Sequence, residues 1–507
     1  MSLVSAGFLA FVLVTIIIYY LLPGRARSGL LLAASLVFCA FGGVYTVLFV
    51  MLSAVTTYLG GRYAKGRTWV CATAVIFNLG LLCAVKFYGV MDLFSARLDM
   101  LFGAADGANQ FMKYCVPVGM SFYTLQMTGY VLDCYWERTA AEKSFVRYLL
   151  FAAYFPYLTS GPMNSYGVLS KELSKAKEAK LTAARLGEGA TRILWGFFKK
   201  LVIADRCAVI VDAVYADHTT FTGLYTVLGV ICFAVQLYAD FSGCMDVVCG
   251  TSHIFGIELP ENFNSPYLAG SIREYWQRWH ITLGSWLRDY LFYPLLKSSL
   301  FVTIGDRSRR LLGKKQGKKV PVYLGMFVLW FAVGYWHGGV WKYIIGSGLL
   351  HCFYIVSGMI AEPLFARIRP ALHSDRLPYR VFRVVRTFVL VLIGFVFFRS
   401  VNVPDAIDLF RAIGRHGMAM SSEGLLSCGL DCGNLIVLCI GTAVLAACDI
   451  YKYRPDENEP PRSVLAVLRK GPAVVFWAVF MLILLAVLIF GRYGLGYDAG
   501  SFIYARI

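Results

Sequence analysis

MSLVSAGFLAFVLVTIIIYYLLPGRARSG, residues 1–29, runs through about twenty apolar residues before its first charge, Arg25. A helix rising ~1.5 Å per residue needs about 20 such residues to cross a hydrocarbon core ~30 Å thick. Residues 3–22 therefore read as a membrane span. A secretory leader would start with basic residues and carry a shorter apolar stretch, so this span is expected to be retained. With Arg25 and Arg27 held inside, the N-terminus lies outside.

Moving outward, the same solvent suits the whole chain. Of 507 residues, 58% are hydrophobic and only 15% charged, with a mean hydropathy of +0.63; soluble domains carry roughly 25% charged residues. Further spans are expected near 29–60 (two short passes), 69–95, 112–135, 146–160, 190–214, 222–250, 321–338, 340–360, 384–399, 433–450 and 473–491. Some of these read as re-entrant or tilted, which leaves about eleven crossings. The runs far exceed the roughly ten residues of a barrel strand, so the expectation is an all-α polytopic membrane protein. No linker-like stretch divides it, and 1–507 reads as one integral-membrane domain.

The net charge of +18 could suggest nucleic acid. In a polytopic chain its cause is instead retention of Lys and Arg on the cytoplasmic side, and no nucleic-acid partner is expected. The basic clusters are Arg25 and Arg27; Arg62, Lys65 and Arg67; and the stretches 171–180, 297–319 and 367–386. The stretch 297–319 carries eight cations against Asp306 alone. It reads as a topology-setting loop, or as a dock for an acidic cytosolic donor or anionic membrane lipid. Most of the fourteen cysteines lie in apolar runs as small hydrophobes, and neither a CxxC pair nor a zinc spacing occurs. Cys428 and Cys432 could form a disulfide if their short loop faces outwards.

Against this background residues 274–290, EYWQRWHITLGSWLRDY, concentrate four charges, a histidine and three tryptophans. On a continuous helix Trp276, Leu283, Trp286 and Tyr290 share one side, with Trp279 adjoining. Arg273, Gln277, His280, Gly284 and Arg288 share a second, and Glu274, Arg278, Ser285 and Asp289 a third. Glu274 and Arg278 are spaced i,i+4 with the acid first, the favourable polarity. The pattern fits an interfacial helix with snorkelling arginines, or a helix facing a watery cavity inside the bundle.

In LWFAVGYWHGGVWKY, residues 329–343, His337 lies deep in an apolar run beside Trp336, with Gly338 and Gly339 following. A histidine at such depth is either hydrogen-bonded to a neighbouring helix or functional. Burial favours the neutral ring, which can take a proton from a hydroxyl and return it to a leaving group. His218, His253, His351, His373 and His416 show no comparable setting. Asp240, Ser242 and Asp246 interrupt the apolar segment 236–248 with no motif cation beside them in sequence. The turn GIELPENFNSPYL that follows, with Asn262 and Asn264, is irregular backbone, which lipid tolerates only against protein or water. No GxSxG elbow, Cys/His nucleophile pairing, Walker loop, Rossmann fingerprint, HExxH or EF-hand is present.

The run from DFSGCMDVV at 240 through IELPENFNSPYLAGSIREYWQRWHITLGSWLRDYLFYPL resembles the signature region of the membrane-bound O-acyltransferase family, about 236–345. The similarity is greatest to a bacterial branch that acetylates alginate or D-alanylates teichoic acid. VPVGMSFYTLQMTGYVLDCY (116–135), YFPYLTSGP (154–162), GFFKKLVIAD (196–205), GYWHGG (334–339), FVFFRSVNVPDAIDLF (395–410) and SFIYARI (501–507) resemble the same branch. The resemblance implies about eleven membrane helices around a central funnel and transfer of an acyl group to a hydroxyl. It matches His337 to the catalytic base and His280 to a second histidine that assists or positions the donor. It matches Asn262, Asn264, Arg273, Glu274, Arg288 and Asp289 to a supporting shell, which Gln277, Trp336 and Asp240 extend. Two departures stand out: Cys244 replaces an aromatic residue, and SFIYARI lacks a final aromatic.

On this resemblance the donor is a cytoplasmic acyl thioester, acetyl-CoA or an acyl carrier protein, with no bound cofactor or metal. The acceptor is an extracytoplasmic or cell-wall polysaccharide, and a separate extracytoplasmic, esterase-like partner completes the transfer. Chain length favours acetyl over D-alanyl, with teichoic acid the acceptor in the second case. The expected location is the bacterial cytoplasmic membrane. A proton-coupled transporter relaying through both histidines would call for internal repeats and a path of carboxylates; Asp240 and Asp246 are present, but no repeat is.

Overall fold

Lipid offers a backbone amide no hydrogen bond, so a spanning segment must satisfy its own amides within a helix. The computed structural model describes residues 1–86, 119–368, 376–415, 421–455 and 461–493. Among these, helix is the only regular structure apart from a single bridge between Phe263 and Trp279. Contacts between Cα atoms divide the chain into two compact units. The first takes in the described parts of 1–196 and 244–260, and the second 197–243 and the described parts of 261–493.

The first unit begins with α1 (Ala6–Leu21), α2 (Gly24–Phe41), α3 (Val44–Tyr63) and α4 (Thr68–Lys86), then α5 (Met120–Tyr135), α6 (Phe145–Ala153) and α7 (Tyr166–Lys175). Ser5 caps α1 by accepting the Phe8 amide at 3.1 Å. The expected double pass over 29–60 is resolved as α2 and α3, broken at Gly42 and Gly43, where Gly43 takes a φ of 98°. Gly60 and Gly61 let α3 close on its neighbours. A Cβ on Gly60 would meet Ala74 at 2.6 Å, and one on Gly61 would meet the Tyr130 ring at 2.3 Å. Without a hydrophobic force between helices in lipid, such close backbone approach supplies the packing energy.

The expected span at 146–160 is not one. Nine residues of α6 cover only ~14 Å. The chain then leaves the helix at Tyr154 and turns through the short helix Phe155–Leu158 on Pro156. Residues 148–158 are all buried, so this is an elbow packed inside protein. At 190–214 helical residues follow without a break: α8 (Ala183–Phe197), a π-helical stretch, Phe198–Ala204, and α9 (Asp205–Ala216). The 31-residue α10 (Leu224–Ile254) follows.

The second unit adds α11 (Ile272–Arg278), α12 (Ile281–Leu287), α13 (Ser299–Gly317), α14 (Val320–Trp336), α15 (Leu350–Ile368), α16 (Leu377–Arg399), α17 (Val403–Gly414), α18 (Cys432–Lys452) and α19 (Ala473–Phe490). The basic stretch 297–319, read from sequence as a loop, is mostly the helix α13, bent by 92° against α14. It exposes Leu300, Leu311 and Leu312 as well as its cations, as a helix lying in a membrane surface does.

Among the described residues seven helices are long and apolar enough to cross a membrane, eight if α13 and α14 form one broken span, with α1 and most of α4 as shorter apolar helices. About eleven crossings were expected. Parts of the expected spans 69–95 and 112–135, and also His373, His416 and SFIYARI, lie outside the described residues. Cys428 and Cys432 are both free thiols, the first buried and the second exposed. Cys244 is buried, 3.2 Å from the Ser160 hydroxyl.

Candidate active site: two imidazoles on one indole

The continuous helix expected over 274–290 is broken in the middle. α11 ends at Arg278; Trp279 is extended (φ −107°, ψ 127°), and His280 is left-handed (φ 48°, ψ 51°) before α12 begins. A non-glycine residue in that region costs of order 1 kcal/mol or more and persists only where its surroundings hold it. The hold comes from the asparagine-rich turn. The Asn264 amide donates to the Arg278 carbonyl at 3.0 Å, and the Ile281 amide to the Asn262 carbonyl at 3.0 Å. Arg278 Nη1 donates to the Asn264 carbonyl at 3.3 Å. Residues 262–264 thus pair with 278–281 as a two-rung ladder that no helix could accept.

The break changes what His280 meets. Arg273 and Gln277, placed on its face by helical periodicity, are exposed, whereas His280 is 2% exposed. Asn262 Oδ1 accepts the Thr282 amide at 3.1 Å and the Thr282 hydroxyl at 2.9 Å. That identifies it as the carbonyl oxygen of the amide. His280 Nδ1 lies 3.3 Å from the same oxygen, so Nδ1 carries the hydrogen and Nε2 the lone pair. His280 stands outside the membrane-spanning helices, and its burial holds the imidazole well below its usual pKa.

His337 follows directly on α14 and is 4% exposed. Gly338 after it leaves room for the Tyr343 ring, which a Cβ would meet at 2.9 Å; Gly339 has a φ of 70°. Rings surround the imidazole: Trp336 at 5.0 Å between centroids, Phe398 at 5.5 Å and Tyr343 at 6.2 Å. Trp336 is also 6.3 Å from the His280 ring, which packs on Phe241 at 4.9 Å as well. One indole is thus the shared neighbour of both imidazoles. Small residues bring this about. A Cβ on Gly334 would lie 2.6 Å from Ile344 Cα, and one on Gly348 would lie 2.5 Å from the Trp330 carbonyl oxygen. The backbone of α14 therefore lies against the π-helical stretch Ile344–Leu349.

The remaining expected residues separate. Glu274 and Arg278 form their i,i+4 pair at 3.0 Å in a buried setting; Glu274 also accepts the Gly270 amide at 2.8 Å, and Arg278 reaches the Arg454 carbonyl at 2.7 Å. Arg288 and Asp289 pair with each other at 3.0 Å, half exposed. Asp240 does have a basic neighbour. Lys200 Nζ lies 2.6 Å from its carboxylate and 3.1 Å from that of Asp205, with Lys200 and Asp240 buried and Asp205 partly so. Lys199 Nζ donates to the Ser242 hydroxyl at 2.9 Å. In the first unit Arg192 pairs with Asp246 at 3.0 Å. The sign that could have found the two lysines was GFFKKLVIAD itself, adjacent cations in an apolar run. His351, dismissed from sequence, is 3% exposed and accepts the Trp276 indole hydrogen at 3.2 Å; only the fold brings these two residues together.

Many apolar helices, with a pair of imidazoles buried among aromatic rings, define a polytopic all-α membrane protein. Comparison with known proteins makes this specific. A model of the membrane-bound O-acyltransferase family matches residues 139–305. The chain is 32% identical over 451 residues to the probable alginate O-acetylase AlgI of Pseudomonas aeruginosa, covering 87% of this chain and 79% of that protein. It is 26% identical over 448 residues to the peptidoglycan O-acetyltransferase of Helicobacter pylori, covering 81% and 79%. It is 28% identical over 283 residues to the teichoic acid D-alanyltransferase of Bacillus subtilis, covering 55% and 68%. The chain belongs to the membrane-bound O-acyltransferase family and is an O-acyltransferase.

Proposed function

We propose that this enzyme transfers an acetyl group from a cytoplasmic thioester to a hydroxyl of an extracytoplasmic or cell-wall polysaccharide, with His337 as general base. The observation that carries the reading is the pair of buried imidazoles on Trp336, one of them with its basic nitrogen fixed by Asn262. His337 takes the proton of the acceptor hydroxyl as its oxygen attacks the thioester carbonyl. The tetrahedral intermediate collapses, the C–S bond breaks, and the imidazolium returns the proton to the leaving thiolate. His280 Nε2 orients the donor. The thioester is already activated, so a positioned base supplying about 10²–10⁴-fold, together with orientation in a narrow site, suffices.

The relatives named for O-acetyl transfer align over more than four-fifths of this chain, against 55% for the D-alanyl one, which favours acetyl. The donor is acetyl-CoA or an acyl carrier protein. A partner on the far side of the membrane hands the acetyl group to the polymer. The membrane is the bacterial cytoplasmic membrane. α2 and α3 are each long and apolar enough to cross a membrane; two successive crossings return the chain to the side of Arg25 and Arg27 at Arg62, Lys65 and Arg67, which supports an outside N-terminus.

The test is mass spectrometry of cell-surface glycans from cells expressing wild type or His337→Ala at matched membrane levels. Loss of O-acetyl esters in the variant, at least about 100-fold, is expected. Loss of D-alanyl esters instead would replace the acyl group, and unchanged esters would remove His337 as the base.

A further inference from the structure

In the second unit a cavity of about 890 Å³ opens between the loop at Gly270, α15 and α16, a volume of the size that holds nucleotide-sized ligands. Three guanidiniums line it: Arg273, Arg383 and Arg386. Arg383 Nε and Arg386 Nη2 both donate to the Gly270 carbonyl, at 3.2 and 3.1 Å, so one oxygen holds two like charges together. Among the described residues the one carboxylate in the wall is Glu362. Among the described residues none of the three arginines forms an ion pair. Each guanidinium has five N–H donors in a planar fork, and only one on each of Arg383 and Arg386 is used on Gly270. Like charges clustered around a concave space raise one another's energy, and an anion filling that space relieves it. Planar forks suit the paired oxygens of phosphate.

We propose that Arg273, Arg383 and Arg386 form a binding site for phosphate esters, occupied by the phosphate end of the acyl donor. The donor assignment rests on the acyl-transfer reading; the phosphate chemistry does not. Two features connect the cavity to the histidines. α11 carries Arg273 at the cavity wall, and two residues beyond its last turn comes His280. Tyr354 in the wall packs on His351 at 6.0 Å, which in turn accepts the Trp276 indole hydrogen. Arg383 and Arg386 also close the basic stretch 367–386, which belongs on the cytoplasmic side where thioester donors are made. A phospholipid headgroup presents the same chemistry from the membrane.

The experiment uses the full chain in phosphatidylcholine nanodiscs and compares the binding of coenzyme A with that of pantetheine, which lacks phosphate. Wild type should bind coenzyme A at least about tenfold more tightly, inorganic pyrophosphate should compete, and salt should weaken only the coenzyme. Arg383→Gln with Arg386→Gln should erase the difference, while Arg383→Lys with Arg386→Lys keeps part of it. Equal affinities for the two ligands in wild type, together with no pyrophosphate competition, would overturn the donor assignment. In that event, native mass spectrometry showing phosphatidylglycerol retained by wild type and lost by the glutamine variant would give the site to lipid phosphate. No retention would overturn the site altogether. The binding readout needs no turnover. A preserved coenzyme–pantetheine gap without any ester transfer in cells would sink the acyl-transfer reading alone; ester transfer without the gap would sink the donor assignment alone.

Discussion

At the scale of the residue, Asn262 is the hinge of the site. Its side-chain oxygen receives Thr282 twice and His280 once, and so settles both a backbone break and an imidazole tautomer. Because burial keeps the His280 pKa low, the ring stays neutral throughout the physiological range and contributes no acid limb there. Asn262→Asp keeps the acceptor but places an anion beside the ring. The charged imidazole is then favoured, its pKa rises by about one to three units, and activity that needs a neutral His280 should fall at correspondingly higher pH. The check is a pH–rate profile of wild type and variant carried into the acid range; identical profiles there would exclude His280 from the reaction. His337 is legible as a candidate because a histidine in an apolar run is conspicuous, and His280 because its stretch concentrates charges and tryptophans in a chain otherwise built for lipid. Gln277 and Arg273 were assigned to the face of His280 wrongly, because a helical projection assumes a helix and the turn at 262–264 forbids one.

At the scale of the element, the two devices that shape the second unit are small residues and buried charge. Gly334 and Gly348 let α14 and the stretch Ile344–Leu349 touch backbone to backbone. Gly334→Ala should lower thermal stability by about 1–3 kcal/mol through overpacking and reduce transfer with it, since His337 lies three residues on. Gly80→Ala, where a Cβ meets nothing within 4 Å, should leave the melting temperature unchanged or raised. Equal melting temperatures for the two variants would refute the packing account. Lys200 with Asp240 and Asp205 is a buried ion cluster. Removing one partner strands a charge and costs about 3–5 kcal/mol, whereas replacing both ends with apolar groups is often neutral. Lys200→Met and Asp240→Leu should each destabilise the detergent-solubilised protein more than the double substitution does. Additive losses would mean that the two groups do not act as a pair. Apolar run length located the long spans α10, α16, α18 and α19 well. It failed at 146–160, where Pro156 and complete burial make an elbow of an apolar run, because apolar residues read alike whether they face lipid or protein.

At the scale of the whole molecule, charge and hydropathy predict an orientation. The clusters after α1 and α3 and along α13 should lie on one side of the membrane. A protease-cleavable tag ahead of Met1 should be cut on intact cells, and one inserted at Gly313, a non-helical break in α13 (φ 77°), only in inside-out vesicles; the reverse pattern would invert the topology. The sequence by itself determined the solvent, the helical class and the family, and singled out the two histidines as candidates, because each depends on local composition or on short ordered motifs. Only the tertiary structure decided that Trp336 is shared by both rings, that Lys200 answers Asp240, that Trp276 meets His351, and that Arg383 and Arg386 converge on Gly270. The partners in these contacts lie from 40 to 116 residues apart, apart from Trp336 and His337. A hydrogen bond or ring contact over such separations follows from how helices pack, which depends on where a glycine lets two backbones close and where a turn refuses to be a helix.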